Sequence, residues 1–164
     1  MILGIDPGVA NLGWAVISEK FKVQSLKLEE YGVVETTAKM EAAERLKMID
    51  EKIESLIKKY EIDRVAVEGL YFAKNAKSAI MVAEVIGVIK IGAIRKGIKV
   101  KEYTPLQIKM ALTGYGRAEK FQVEAMIKNL LGLEKTISPS HAADAAAVAL
   151  TDIMSCDFEP KGED

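Results

Sequence analysis

Apolar residues run in short blocks near the start of the chain and fall at helical spacing after residue 40, and this change of period predicts the order of the elements. The blocks at 2–5 (Ile-Leu-Gly-Ile) and 12–17 (Leu-Gly-Trp-Ala-Val-Ile), followed by an alternating stretch at 23–34, read as three strands joined by short turns. Strands connected so closely form an antiparallel meander. Beyond Met40, the residues Leu46, Ile49, Ile53, Leu56 and Ile57 recur every three or four positions with charges between them, which predicts a helix ending near Tyr60. Such a helix serves as the crossover back to the sheet. Residues 64–67 (Arg-Val-Ala-Val) carry little polar content, as suits a central parallel strand covered on both faces, and the strand ends at Glu68-Gly69.

Residues 76–95 make the most apolar helix, with Ala79, Met81, Val82, Val85, Ile86, Val88, Ile89 and Ile91 interrupted by Gly87 and Gly92. A helix apolar around most of its circumference is usually buried on several sides, and the glycines permit close backbone approach. It is expected to serve the core, a subunit interface, or both. Another strand is expected at 99–103, closed by Pro105. The spacing assigns no element between Pro105 and Ala118, where helix and loop both stay open. Two more helices follow, one at about 118–131 ended by Gly132 and one at about 140–154, rich in alanine and opened by Pro139-Ser140. The polar stretch 157–164, with Pro160 and Gly162, predicts a disordered tail. No repeat or linker interrupts 1–156, so these residues are expected to form one α/β domain, a mixed five-stranded sheet flanked by helices.

Composition narrows the setting. With 49% hydrophobic residues, a chain of 164 residues can bury a core large enough to need no staple. The single cysteine, Cys156, cannot form an internal disulfide, and the start of the chain lacks the basic and apolar regions of a signal peptide. No apolar run reaches the roughly 20 residues that span a bilayer. A cytoplasmic location is the expectation. The formal net charge of −1 argues against a nucleic-acid partner only if charge is evenly spread, and between Phe72 and Lys120 ten cations stand against three acids. That segment is either a solvated helix face or a surface for phosphates.

Candidate chemistry begins at Asp6, where an apolar strand runs into Pro7-Gly8. Asp-Pro-Gly is ordinary turn chemistry, and an acid at a strand rim is also how rigid elements present metal ligands. Both readings stand at this point. Glu68 places a second acid at a strand end. In the last helix His141, the only histidine, and Asp144 are three residues apart and share a face. The alanines around them let the helix lie close to a sheet, although a polar pair at a helix start also suits an exposed surface. Taken jointly, Asp6, Glu68 and Asp144 could converge above the sheet's rim. Convergent carboxylates raise one another's pKa unless a cation neutralises them, so a cluster implies Mg²⁺ or Mn²⁺. Two such ions about 3.5 to 4 Å apart suit phosphodiester hydrolysis.

Six blocks span nearly the whole chain: Ile-Asp-Pro-Gly (5–8), Val-Glu (67–68), Ala-Lys-Asn-Ala-Lys-Ser-Ala (73–79), Tyr-Thr-Pro-Leu-Gln-Ile-Lys (103–109), Gly-Arg-Ala-Glu-Lys (116–120) and His-Ala-Ala-Asp-Ala (141–145). In this order and spacing they resemble the RuvC-type Holliday-junction resolvases, the crossover junction endodeoxyribonucleases. The resemblance implies a ribonuclease-H-like three-layer fold, a homodimer, and metal-dependent, paired and symmetric cutting of four-way DNA junctions in recombination and repair. It implies 5′-phosphate and 3′-hydroxyl ends that a ligase can seal, and a branch-migration motor complex (RuvA and RuvB type) as partner.

Carried over by residue, the family's catalytic and metal-binding acids fall on Asp6, Glu68 and Asp144, with His141 at a position where some members carry aspartate. Imidazole is a poor ligand for Mg²⁺ and a better one for Mn²⁺, and His141 is open to two roles, ligand or proton shuttle. Two Mg²⁺ ions are the implied cofactor, with Mn²⁺ able to substitute. Tyr71-Phe72 resembles the family's loop whose aromatic stacks on bases near the crossover. Lys74, Lys77, Lys109, Arg117 and Lys120 become candidate phosphate contacts. Other readings stay in view. A ribonuclease-H-like nuclease acting on structured RNA shares the fold but would lack the aromatic loop and the Gly-Arg-Ala-Glu-Lys segment. An actin-like or sugar-kinase phosphate-binding fold also opens with a strand and an Asp-x-Gly turn, yet it needs two similar domains, for which 164 residues are too few. A catalytically silent binding module is at odds with four intact site residues.

Overall fold

Strands β1 (Ile2–Asp6), β2 (Asn11–Lys20), β3 (Ser25–Glu35), β4 (Arg64–Glu68) and β5 (Lys99–Tyr103) form one sheet in the order β3-β2-β1-β4-β5. The computed structural model describes residues 1–20, 25–70 and 76–156, so the expected tail at 157–164 lies outside the described residues. β1 pairs antiparallel with β2, and β2 with β3; β4 runs parallel to both β1 and β5. This is the meander followed by parallel crossovers that the change of period predicts.

Successive side chains of a strand point to opposite faces, and the core divides accordingly. Leu3, Ile5, Trp14, Val65 and Val67 face α1 (Ala42–Tyr60) and α2 (Ala76–Ile94), packing on Ile49, Ile53, Leu56, Val85 and Ile89. Ile2, Ala15, Ile17 and Ala66 face the other way, onto α5 (Ser140–Cys156), with α3 (Pro105–Thr113) and α4 (Lys120–Leu130) behind it. Three layers result. Among the described residues no helix is long and apolar enough to cross a membrane.

Helix α3 is an element that apolar spacing did not assign. Pro105 closes β5 and also opens a helix, because a proline at the first helical position gives up no intrahelical hydrogen bond. Thr104 caps it: the threonine hydroxyl accepts from the Gln107 amide at 3.2 Å, and the Gln107 side-chain oxygen accepts from the Thr104 amide at 2.9 Å. Helix α2 is less enclosed than its composition suggests. Val85, Ile86, Ile89 and Ala93 are buried, while Ile80 and Ile94 are each 62% exposed and Ile91 is 46% exposed. Of the two glycines, Gly87 faces open space and Gly92 approaches the Asp50 carboxylate, so among the described residues neither brings a neighbouring backbone close.

Helix α5 lies against the sheet more tightly. A Cβ at Gly4 would overlap the Ala145 carbonyl and crowd Ala149, and one at Gly13 would overlap the His141 carbonyl. Two glycines on the strands and a stripe of alanines on the helix therefore set the spacing. Toward the helix's other end a polar tie fixes it. Buried Asp152 accepts from the Tyr103 hydroxyl at 2.8 Å and pairs with Arg64 Nε at 3.1 Å, joining α5 to β5 and β4.

Candidate active site

Asp6 and Glu68 are the last residues of neighbouring parallel strands, with Ile5 opposite Val67 in the register. Parallel neighbours end at the same edge of a sheet, so the acids that follow Ile5 and Val67 emerge side by side. Because Ile5 and Val67 point toward α1 and α2, the alternation turns Asp6 and Glu68 toward α5. Gly13 pairs with Asp6 across β1 and β2, and it is on Gly13 that the first turn of α5 rests. The absent side chain at Gly13 is what admits His141 and Asp144 to the acids.

The resulting cluster is compact. His141 Nδ1 lies 2.7 Å from Asp6 Oδ2, and Asp6, His141 and Asp144 each offer a ligand atom within 4.8 Å of the others. Lys120, at the start of α4, sets its ammonium 2.9 Å from Asp144 Oδ2 and 3.1 Å from Oδ1, and it also donates to the Ser140 hydroxyl. Glu68 and Asp144 line one cavity of about 270 Å³ together with Lys109 and Lys120.

Electrostatics mark the cluster as short of positive charge. Burial raises the Asp6 carboxyl above its ordinary value against the opposing hydrogen bond from His141, and Asp144 adds repulsion. Glu68 is pushed up to about 7, first by burial, then by repulsion from Asp6 and Asp144, with Lys120 opposing. A group of oxygens that resists ionisation until a cation arrives suits a hard divalent ion.

The residues named from sequence are placed unevenly. Asp6, His141 and Asp144 come together, with Glu68 beside them; Lys120 sits inside the acid cluster and Lys109 on the wall of the adjoining cavity. Arg117 is exposed in the turn between α3 and α4. Tyr71, Phe72 and Lys74 lie outside the described residues, and Lys77 is described only as backbone in the first turn of α2.

The family model for crossover junction endodeoxyribonuclease RuvC matches residues 2–152. The chain belongs to the RuvC family. A RuvC from Petrotoga mobilis is 48% identical over 149 residues, covering 91% of this chain and 90% of that protein. The solved structure of Thermus thermophilus RuvC superposes with a TM-score of 0.90 at 34% identity, covering 96% of this chain and 95% of that one. The same protein in complex with a Holliday junction substrate gives a TM-score of 0.87 at 32% identity, over 96% of this chain and 94% of that one. The ribonuclease-H-like mixed sheet and the RuvC resemblance expected from the sequence are therefore both met.

Sequence reasoning singled out Lys120 for phosphate and did not foresee its bond to Asp144. It read Ser140 only as the opening of the last helix, and it passed over Gly4 and Gly13. The glycines had a signal: both interrupt apolar strands in a chain that also carries an alanine-rich helix, and small residues on two elements are the mark of close packing.

Proposed function

We propose that this chain is a metal-dependent endonuclease that resolves four-way DNA junctions by paired, symmetric cuts, leaving 5′-phosphate and 3′-hydroxyl ends for a ligase. The observation that carries this reading is the convergence of Asp6, His141 and Asp144 within 4.8 Å, with Glu68 at the adjacent strand end, in a chain of the RuvC family. Asp6, Glu68 and Asp144 would hold two Mg²⁺ ions, and Mn²⁺ would substitute. Such ions supply polarisation of a phosphodiester and water of lowered pKa.

The chain's own groups do the positioning. Asp6 accepts from His141 Nδ1 and so orients the ring, which directs Nε2 to ligation or to a proton. Lys120, braced by Asp144 and Ser140, carries a cation to the place where a phosphate oxygen must lie. Lys74, Lys77, Lys109 and Arg117 extend the positive surface, and Tyr71 and Phe72 supply flat faces for bases at the branch.

A junction has two equivalent strands to cut, so the reading includes a homodimer with two-fold symmetry. The exposed stripe of Ile80, Ile91 and Ile94 and the open face at Gly87 support α2 as its interface. A branch-migration motor complex as partner and the cytoplasm as location complete the reading.

The test is incubation with a synthetic four-way junction, a linear duplex and an RNA–DNA hybrid, each with Mg²⁺, Mn²⁺ or chelator. Paired nicks confined to the junction and abolished by chelator are expected. Preferential cutting of the hybrid would favour the structured-RNA nuclease instead, and cutting in chelator would remove the metal from the mechanism.

A further inference from the structure

The Lys120 ammonium has three N–H donors and no acceptor, and three oxygens take them: Asp144 Oδ2 at 2.9 Å, Asp144 Oδ1 at 3.1 Å and the Ser140 hydroxyl. Two of these belong to a carboxylate that the proposed function assigns to a metal. The third belongs to a neutral side chain one turn away on the same helix face, since Ser140 and Asp144 stand four residues apart in α5. Ser140 Oγ lies 3.5 Å from Asp144 Oδ2, so a short swing of the lysine's end carries its ammonium from one acceptor to the other.

One carboxylate cannot serve two cations at full strength. Coordination by Asp144 draws off the lone pairs that hold Lys120 and sets a divalent charge against the ammonium. Lys120 and Asp144 are 53% and 34% exposed, and an ion pair so open to water is weak enough to give way. Where the released ammonium goes depends on the acceptors left to it. Asp6 and Glu68 are assigned to the same ions, which leaves the Ser140 hydroxyl. A hydroxyl accepts a hydrogen bond without cancelling charge, so an ammonium resting on Ser140 keeps its attraction for a phosphate oxygen.

We infer that Ser140 is a positioning residue: its hydroxyl receives Lys120 when Asp144 turns to a divalent cation, which eases metal entry and holds the ammonium ready for the substrate phosphate. This rests on the junction-endonuclease reading above. The serine touches no reacting atom and acts through Lys120 alone. As the first residue of α5 it also has a purely structural alternative, support of the helix's opening turn, and the test separates the two.

The experiment pairs calorimetric Mn²⁺ binding to the DNA-free chain with single-turnover cutting of a four-way junction at saturating Mn²⁺. Ser140→Ala should weaken Mn²⁺ binding by about three- to tenfold and slow cutting by a similar factor, with junction affinity changed less than about twofold. Ser140→Thr keeps the hydroxyl and should restore both; a threonine that behaves like alanine counts against the hydroxyl's role. Lys120→Met removes the competing cation and should tighten Mn²⁺ binding, and in that background Ser140→Ala should alter neither binding nor cutting further. Equal losses with and without Lys120 overturn the inference, because a loosened helix start would act in both backgrounds. So does a folded Ser140→Ala protein with unchanged Mn²⁺ affinity or an unchanged cutting rate. Should Ser140→Ala fail to fold, Ser140→Gly, which helix starts tolerate, takes its place under the same criteria. An unaltered protein that binds Mn²⁺ yet cuts no junction would refute the endonuclease reading, and the calorimetric cycle alone would then decide the role of Ser140. One that binds no Mn²⁺ overturns both.

Discussion

Asp6 lies against His141, Asp144 lies against Lys120, and Glu68 is held back from ionising by burial and by both acids. Each acid therefore has its own response to change. Asp6→Asn and Glu68→Gln remove a ligand charge while keeping shape, so cutting should fall by about a hundredfold or more while junction binding stays within about threefold, measured by single-turnover cleavage and by gel shift. Equal loss of both would mean that the acids hold the fold and not the substrate. His141→Asp replaces a nitrogen donor with oxygen and should raise the ratio of Mg²⁺- to Mn²⁺-supported cutting; an unchanged ratio with an altered pH profile would assign the ring to proton transfer. The Glu68 carboxyl, ordinarily near 4.5 and here about 7, binds its proton more tightly in the folded than in the unfolded chain. Its contribution to stability is therefore full below pH 4.5, declines as pH rises through that window, and is lost above pH 7. Without divalent ions the melting temperature should fall across this window, Glu68→Gln should flatten the fall, and Mg²⁺ should raise melting most above pH 7. A metal-free profile identical in the variant would contradict that assignment.

At the scale of elements, the approach of α5 to β1 and β2 decides whether the side chains meet at all. Gly13→Ala puts a methyl group into the His141 carbonyl, so α5 must shift. The expected cost is about 1 to 3 kcal/mol in urea denaturation, with cutting impaired beyond what the lost folded fraction explains. Cutting that fell only in step with folding would show that this contact positions nothing. Much of this level was legible from residues. The strands of β1 and β4 announced themselves by apolar runs ending in acids, and His141 and Asp144 by helical spacing. Helix α3 was not legible from apolar periodicity, because in nine residues only Ile108 and Leu112 are buried, and its opening proline also reads as a strand terminator. Its capping pair, Thr104 and Gln107, was the available signal. The bond from Lys120 to Asp144 was beyond reach for another reason: 24 residues separate them, and only the packing of α4 beside α5 makes them neighbours.

Across the whole molecule, a formal charge of −1 coexists with a strongly basic segment, and DNA affinity should report the segment. The logarithm of junction affinity is expected to fall steeply with the logarithm of salt concentration, and Lys109→Ala or Arg117→Ala should each reduce the slope by about one contact's worth. A flat dependence would remove these side chains from the interface. Assembly has its own test. Ile94 is 62% exposed, so Ile94→Glu should leave the protomer folded, yield a monomer at micromolar concentration in sedimentation, and convert paired cuts into unpaired nicks. A variant that stays dimeric would place the interface elsewhere. For anyone wishing to raise the melting temperature of this enzyme, the seam of Gly4 against Ala145 and Ala149 and of Gly13 against His141 defines where not to work. Replacing glycine by alanine or enlarging small core residues are standard routes to greater stability, yet here no tolerance is left to spend. Engineering latitude lies on the far side of the sheet, along the solvent-facing positions of α1, which packs on the face opposite α5.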